Sequence, residues 1–380
     1  MEFDYLVIGA GIAGASVAYQ LAPHGRVALL ERESQPGYHS TGRSAAMFME
    51  SYGTPMIRAL TCASRAFYEH PPAGFADHPI LSARGALYVA RPGQEQELAD
   101  TFEALSATSS RVERLSAGEA LAHCPVLRED RVCGAIYEPD AMDIDVHALH
   151  HGYLRGFRAR GGHSFNDAEL AGASRHGGRW AVRLADGRTL AAASIVNAAG
   201  AWADVVAGRC GVAPIGLQPK RRTAFTFDAP AGQQIAAWPT VCSIDETYYF
   251  KPDAGQLLGS PANADPVEPQ DVQPEEIDVA TGIHYIGEMT TMQIRRPKHT
   301  WAGLRSFVDD GDLVIGADGH VPGFHWVAAQ GGYGIQTASA VSELAASQLR
   351  GEPMPEHIAR FGVRAAALSV SRLRGGGSAG

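Results

Sequence analysis

Three glycines near the start of the chain have the spacing of a dinucleotide-binding turn. Gly9, Gly11 and Gly14 form GxGxxG between an apolar segment and a segment of small residues. The first glycine permits a tight turn, the second lets the backbone approach a pyrophosphate, and the third lets a helix pack closely on a strand. Glu31 follows Gly11 by twenty residues, where a carboxylate can accept ribose hydroxyl groups. The four residues predict a dinucleotide site at a helix N-terminus.

The glycine motif does not distinguish NAD from FAD, and the segment after Glu31 bears on that choice. It reads YHSTGRSAA over residues 38–46. A run of small polar side chains can lie against a phosphate and a flat ring, although an ordinary surface loop can have the same composition. The run contains Ser40, Thr41, Gly42, Arg43, Ser44, Ala45 and Ala46. We expect it to contribute to the cofactor site.

Arginine is the natural partner for a substrate carboxylate, because its guanidinium offers a planar fork of two donors. Arg305 lies between Leu304 and Phe307 in an otherwise apolar segment, where an unpaired charge is costly, so it is expected in a ligand site or a buried ion pair. Arg221 and Arg222 follow Lys220, and strand alternation places the two on opposite faces. Periodicity does not choose between them, and a solvated strand edge is the alternative.

Composition favours an ordinary globular enzyme. Of the 380 residues, 45% are hydrophobic and 19% are charged, and the formal net charge of −9 argues against nucleic-acid binding. The length fits two interlocked domains. The five cysteines form no CxxC pair, so neither a disulfide framework nor a metal site is expected, and a reducing, cytoplasmic location is favoured.

Residues 5–22 carry no charge and could be mistaken for a signal peptide or a membrane span. Glu2 and Asp4 precede them, where a signal peptide would place Lys or Arg. The segment is therefore interpreted as a buried strand, a glycine turn and a helix. No transmembrane segment is expected, and peripheral contact with a membrane stays open.

The elements that must position these residues alternate along the chain. Thr54 and Pro55 are typical of the start of a helix that ends near Glu69. A hairpin is predicted around Asp253, Ala254 and Gly255. The patterns predict an α/β protein, α+β overall. A Rossmann-type nucleotide-binding domain takes residues 1–78, 144–214 and 306–380, and a second domain, built on an antiparallel sheet, takes residues 79–143 and 215–305.

The motifs together resemble those of the D-amino-acid oxidase superfamily of FAD enzymes. GAGIAG, Glu31, STGRSAA, IVNAAGAWAD (195–204) and AAQGGYGIQTA (328–338) occur in the order found there, and the resemblance covers nearly the whole chain. Within the superfamily the chain looks most similar to the bacterial D-arginine dehydrogenase branch, through QPKRRTAF, YYFKPDAGQLLGSPANADPVEP and TWAGLRSFVDDGDLV.

The resemblance implies extended, noncovalent FAD, because Ser306 and Phe307 stand where related enzymes with covalent flavin have a cysteine. It places Gly11 and Arg43 at the pyrophosphate and Glu31 at the adenosine ribose. Ser44 and Ala45 would face the flavin ring. The other residues implied in the cofactor site are Gly9, Ile12, Ala13, Gly14, Arg32, Thr41, Gly42, Ala46, Ala199, Gly200, Trp202, Gly331, Gly334, Ile335, Gln336 and Thr337.

The resemblance also implies a substrate site. It selects Arg222 and Arg305 for the carboxylate, Tyr52 and Tyr249 for hydroxyl contacts, and the Gly332 carbonyl for the amine. The implied reaction is oxidative deamination of a D-amino acid, in which hydride passes from Cα to flavin N5 and the resulting imine is hydrolysed to a 2-oxo acid. The implied pocket residues are Met47, Met49, Glu50, Ala86, Thr240 and Cys242.

Two positions depart from the D-arginine branch. Met47 replaces a histidine near the flavin, and Ala86 replaces the glutamate that holds the guanidinium of the substrate. Glu50 compensates only if its loop turns inward. We therefore expect a more apolar pocket and a preference for apolar side chains, or a broad one.

Other readings of the same residues stay open. Two arginines also suit an N-alkyl amino acid or a 2-hydroxy acid, and the chain could be the flavin-bearing subunit of a larger dehydrogenase complex. The expected partner is a small-molecule amino acid, with a quinone or oxygen as the electron acceptor.

Overall fold

The computed structural model describes residues 1–107 and 111–374. Residues 108–110 and 375–380, which the predicted domains include, lie outside the described residues. The strands are β1 Glu2–Ile8, β2 Val27–Leu30, β3 Met47–Phe48, β4 Leu81–Ala83, β5 Ala86–Ala90, β6 Glu113–Ser116, β7 Gly134–Glu138, β8 Met142–Ile144, β9 His163–Phe165, β10 Leu170–His176, β11 Arg179–Leu184, β12 Thr189–Asn197, β13 Gln218–Phe227, β14 Thr240–Ser243, β15 Tyr249–Asp253, β16 Gln256–Ser260, β17 Asp265–Pro266, β18 His299–Phe307, β19 Val314–Ala317 and β20 Phe324–Ala328.

Eleven α-helices lie within the described residues. They are α1 Ile12–Leu21, α2 Pro55–Glu69, α3 Glu95–Ser106, α4 Ala117–His123, α5 Val146–Ala159, α6 Ala203–Arg209, α7 Glu276–Met289, α8 Gly334–Leu349, α9 Glu356–Ala359, α10 Ala365–Leu368 and α11 Ser371–Arg374. None of these helices has the length and apolar character needed to cross a bilayer.

The first sheet has a parallel centre. Strand β12 pairs in parallel with β1 and β20, and β1, β2 and β9 continue the parallel order. Antiparallel strands β10, β11 and β19 extend its margins. Helices α1, α2, α5 and α8 bury apolar side chains on one face, and α6 covers part of the other. This is the arrangement expected when crossover helices cover both faces of a parallel sheet.

The second sheet is mostly antiparallel. Its nine strands run in the order β17-β13-β16-β15-β14-β5-β7-β6, with β18 paired to β13. One pair, β14 with β5, is parallel. The three short strands β3, β8 and β4 form a small sheet of their own. The predicted fold class is therefore confirmed, with the single parallel pair as the difference.

The exact division into two discontinuous domains stays a prediction. Strand β18 crosses the predicted boundary at residues 305 and 306, since Ser306 and Phe307 still pair with Pro219 and Gln218 of β13.

Two local predictions are confirmed. The Thr54 side chain caps α2 by accepting a hydrogen bond from the Ile57 N–H at 3.3 Å. Strands β15 and β16 form the predicted hairpin, in which Ala254 and Gly255 have φ of 47° and 82°. Such positive φ at both central residues gives a two-residue turn the twist that the flanking strands need.

Candidate active site

Three strands of the first sheet end at one edge and deliver the residues of the glycine motif there. Gly9 follows β1, Glu31 follows β2 and Ala198 follows β12, and the three strands are parallel neighbours. Gly9 has φ of 98°, and a Cβ at Gly14 would lie 1.8 Å from the Gly9 carbonyl oxygen. Only glycine fits at either position. The carboxyl edge of a parallel sheet is where such folds bind ligands.

Side chains from distant segments hold this turn in place. The Ala10 N–H donates to the Glu31 carboxylate at 3.0 Å, and His150 Nε2 donates to the Ala10 carbonyl at 2.8 Å. Thr41 Oγ1 accepts from the Ile12 N–H at 3.0 Å. Burial raises the pKa of Glu31, while the backbone hydrogen bonds from Glu33 and Ala10 oppose the rise. The turn is thus held by contacts within the protein.

We expect acidification to weaken this turn through His150. Burial lowers the pKa of His150 to about 4 from an ordinary value of 6.5, so the folded protein holds the neutral ring. The contribution of His150 to the stability of the folded state is complete above pH 6.5. It is lost as pH falls from 6.5 towards 4, because in this range the His150 ring of the unfolded chain takes up a proton and that of the folded chain does not. The free energy of unfolding should fall by roughly 1 kcal/mol per pH unit there. Denaturant titrations from pH 7 to 4.5 measure it.

The control is His150→Gln, whose amide can still donate to Ala10 and does not titrate in this range. This variant should lose a matching part of the pH dependence. An unchanged dependence would show that other groups cause it.

A long cleft begins at the turn. The expected cofactor residues that line it are Gly9, Gly11, Ile12, Ala13, Glu31, Arg32, Thr41, Ala199, Gly200, Trp202 and Gly331. At its outer end the Arg32 guanidinium lies 4.3 Å from the centre of the Trp202 ring, and the His39 ring lies 4.5 Å from the same ring. Flat, cationic and aromatic groups at this end suit the adenosine half of a dinucleotide.

The cleft continues through a passage into a second pocket. Gln330 and Gly331 line both the cleft and the passage, and Ser44 and Ala45 line both the passage and the pocket. The Nε2 atom of Gln330 is buried and has no hydrogen-bond partner within residues 1–107 and 111–374. A buried donor without a partner is expected where a ligand supplies the acceptor. The residues present therefore fit an extended dinucleotide that spans cleft and passage.

Some expected cofactor residues lie behind the cleft. Gly14 and Gly42 permit close packing, since a Cβ at Gly42 would lie 2.7 Å from the Gly37 carbonyl oxygen. Thr337 is buried within α8 and its hydroxyl donates to the Tyr333 carbonyl. The Arg43 guanidinium donates to the Val272 and Ala302 carbonyls and pairs with Asp271.

Arg43 is expected at the pyrophosphate, but these contacts direct its side chain to β18 and to the loop that carries Asp271 and Val272. It lines the passage and is absent from the lining of the cleft. The expected residues Ala46, Gly334, Ile335 and Gln336 line the passage or the pocket.

The strand pair β13 and β18 brings two arginines into the pocket. Arg222 and Arg305 both line it, whereas the neighbouring Arg221 pairs with Asp278 at 2.9 Å and with Glu275. The acids on α7 and just before it thus hold the Arg221 side chain, and this explains why Arg222 and not Arg221 lines the pocket. A Cβ at Gly332 would lie 2.7 Å from the Arg305 guanidinium, so glycine is needed for this side chain to lie against the backbone.

Neither pocket arginine has a carboxylate within 4.0 Å among the residues that the structure describes. Arg305 donates to the Tyr52 hydroxyl at 3.0 Å, and Arg222 donates to the Asn263 carbonyl at 2.6 Å. Burial and the adjacent positive charge of Arg305 lower the pKa of Arg222 to about 10. Two half-buried guanidiniums that repel each other favour the binding of an anion, which offsets their charge.

The other expected pocket residues divide into two groups. Tyr52, Tyr249, Met47, Met49, Thr240, Cys242 and Gly332 line the pocket. Ala86 and Glu50 do not line it. Ala86 is fully buried behind the pocket against Met49 and Ala141. The Glu50 loop does not turn its carboxylate inward, because Glu50 pairs with Arg65 of α2 at 2.5 Å.

Sequence reasoning missed five residues that line the pocket, Tyr88, Ser243, Glu246, Tyr248 and Ala262. Glu246 is exposed and lies in a turn with φ of 53°. Tyr88 could have been found, because strand alternation puts it on the same face of β5 as Ala86. Nothing in the local sequence marks the other four.

The cleft and passage fit an extended dinucleotide and the paired arginines fit a carboxylate, and comparison with known proteins shows the class to be a FAD-dependent oxidoreductase. Residues 4–348 match the family described as FAD dependent oxidoreductase (DAO). The chain belongs to this family, and FAD is its cofactor.

Individual relatives are distant. The glycine oxidase of Bacillus licheniformis is 25% identical over 371 residues, which cover 93% of this chain and 94% of that protein. The L-2-hydroxyglutarate dehydrogenase of Salmonella houtenae is 28% identical over 225 residues, or 56% of this chain and 51% of that protein. The chain thus spans about half the length of such dehydrogenases.

A solved structure of glycine oxidase from Geobacillus kaustophilus superposes with a TM-score of 0.84 at 20% identity, and covers 98% of this chain and 99% of that one. This likeness shows the fold. The resemblance to the D-arginine dehydrogenase branch stays a prediction.

Proposed function

We propose that this protein oxidises the Cα–N bond of D-amino acids with uncharged side chains and produces 2-oxo acids through an imine. The observation that carries the proposal is the pair of guanidiniums, Arg222 and Arg305, without a carboxylate partner in a pocket that continues from the FAD cleft. An amino acid or a closely related acid supplies the missing anion.

The residues of the pocket bind and orient the substrate. Arg305 and Arg222 hold the carboxylate, Tyr52 and Tyr249 contribute hydroxyl groups, and the Gly332 carbonyl accepts a hydrogen bond from the amine. Bound FAD supplies a hydride acceptor. With a neutral amine held in place, the nitrogen lone pair can form the imine as hydride leaves Cα, and water then releases ammonia. Orientation and electrostatics are the protein's main contributions.

The preference for uncharged side chains rests on the lining of the pocket. Met47 and Met49 lie in it, and the Glu50 carboxylate is held away by Arg65. A cationic side chain would lose water without gaining a buried acid as partner. Glu246 is an acidic residue that lines the pocket, and because it is exposed it lies on the solvent side of the pocket.

A 2-hydroxy acid is the second candidate. The same two arginines suit its carboxylate, and the Salmonella houtenae relative is named for a 2-hydroxy acid. An N-alkyl amino acid remains the third. The D configuration rests on the resemblance alone, and the cytoplasmic location and the acceptor, a quinone or oxygen, remain part of the proposal.

Four compounds with one side chain separate these alternatives. Anaerobic bleaching of the flavin is measured with D-methionine, L-methionine, N-methylmethionine and the 2-hydroxy analogue of methionine. D-arginine is measured as well, to compare side chains. D-methionine should bleach the flavin of the lone chain fastest, and faster than D-arginine does. If only the hydroxy analogue bleaches it, the Cα–N assignment is wrong. If D-arginine wins, the side-chain preference is wrong, and Glu246 is the residue to replace.

A further inference from the structure

A buried glutamate lies directly behind the pocket. Glu138, at the end of β7, has no exposed surface and sits opposite Ala86 in the β5–β7 pair. Its Oε1 atom accepts the backbone N–H groups of Glu50 at 2.8 Å and Ser51 at 3.4 Å. Its Oε2 atom accepts the Ser51 hydroxyl. The carboxylate therefore fixes the segment that carries Tyr52.

The Ser51 hydroxyl links this carboxylate to the pocket. Ser51 Oγ lies 2.7 Å from the hydroxyl oxygen of Tyr88, which lines the pocket. Burial raises the pKa of Glu138, while the hydrogen bonds from Ser51 and Glu50 oppose the rise. A hydroxyl has one hydrogen, and Ser51 donates it to the ionised form of Glu138, since an ionised carboxylate only accepts. Tyr88 must therefore be the donor to Ser51. The hydroxyl hydrogen of Tyr88 then points away from the pocket, and its oxygen can only accept.

We infer that Glu138, acting through Ser51, makes the Tyr88 oxygen a hydrogen-bond acceptor that selects ligands with an N–H or O–H donor on the side chain. This inference rests on the proposed function for the place of the side chain in the pocket. Glu138 is a positioning residue, and Tyr88 determines specificity. The selected side chains are uncharged donors, such as a pyrrole or indole N–H.

Substitution of Glu138 by glutamine reverses the chain of hydrogen bonds. The two backbone N–H groups at the Oε1 position require an acceptor, so the amide oxygen stays there and the amide nitrogen faces Ser51. Ser51 then accepts from the amide and donates to Tyr88. The Tyr88 hydrogen turns into the pocket, and the residue becomes a donor.

Two carboxylic acids without an amine test this without turnover. Pyrrolyl propanoate carries a ring N–H donor, and furyl propanoate carries a ring oxygen acceptor at the matching position. Their Kd values are measured from the perturbation of the flavin spectrum of the holoenzyme near pH 8, because burial raises the pKa of Glu138 and the inference concerns its ionised form. In the wild type the pyrrole should bind about two- to tenfold more tightly, as expected for one hydrogen bond.

The variants give distinct results. Tyr88→Phe and Ser51→Ala should bring the ratio of the two Kd values close to one, and Glu138→Gln should invert it. Tyr137→Phe and Glu113→Gln are the matched controls on β7 and β6 and should keep the wild-type ratio. An unchanged ratio in both Tyr88→Phe and Glu138→Gln would overturn the inference, provided that FAD content is normal.

The failure of the proposed function looks different. Suppose that D-methionine does not bleach the flavin but the ratios of the two Kd values behave as described. The proposed reaction is then wrong, and the role of Tyr88 as a hydrogen-bond acceptor stands. If neither acid perturbs the wild-type flavin, the pocket does not take a carboxylate, and both proposals are wrong.

Discussion

Replacing Arg305 by methionine should lower kcat/KM for the substrate amino acid by about ten- to a hundredfold, because a charge-assisted contact with a carboxylate contributes about 1.5–3 kcal/mol. Arg222→Met should act in the same range. Methionine keeps much of the apolar stem and removes the guanidinium. The measurement is steady-state kinetics with an artificial acceptor, alongside the flavin-to-protein absorbance ratio, which should stay near the wild-type value.

The matched control is Arg296→Met, the same substitution at an exposed position. It should leave kcat/KM unchanged. The double variant should lose less than the product of the two single losses, because removing one guanidinium also relieves its repulsion of the other. If both single variants keep wild-type kinetics, the carboxylate binds elsewhere and the central argument of the proposed function is wrong.

The residues of the glycine motif could be predicted because their roles are local. Gly9 needs a positive φ and Gly14 needs close packing, and both demands come from neighbours within the same strand–turn–helix unit. Arg222 is different. Its face of β13 is decided by Asp278 and Glu275, more than fifty residues away, which hold Arg221 on the other side. Alternation along a strand gives two faces and does not say which one is the pocket.

Ala86 and Glu50 show the same limit of prediction from sequence, here for residues that were expected in the pocket and do not line it. Their expected place in the pocket came from the resemblance, and it assumed that an equivalent strand and loop present the same side chains. Here Arg65, on a separate helix, holds the Glu50 carboxylate, and Glu138 lies opposite Ala86. The acid near this end of the pocket is thus supplied by β7. Its position depends on the pairing of strands that lie about fifty residues apart in the sequence.

Replacing Gly11 by leucine should yield a folded protein that has lost FAD. Gly11 has φ of −68° and ψ of −175°, which any residue adopts, so the backbone is not strained by the change. A Cβ there would lie 3.1 Å from Thr41 Oγ1 and would face the cleft. The rest of a leucine side chain would fill the space in which the pyrophosphate approaches the backbone.

The purified variant should carry less than about a tenth of the wild-type flavin, because the contact between backbone and pyrophosphate is central to binding. Flavin is measured by absorbance after gel filtration and again in the supernatant after acid precipitation, where noncovalent FAD from the wild type should appear in full. The control is Gly118→Leu in α4, where no other atom lies within 4 Å of an added Cβ. It should keep its flavin. A Gly11→Leu protein with wild-type flavin content would show that the pyrophosphate lies away from this turn, and wild-type flavin that stays with the precipitate would show a covalent bond.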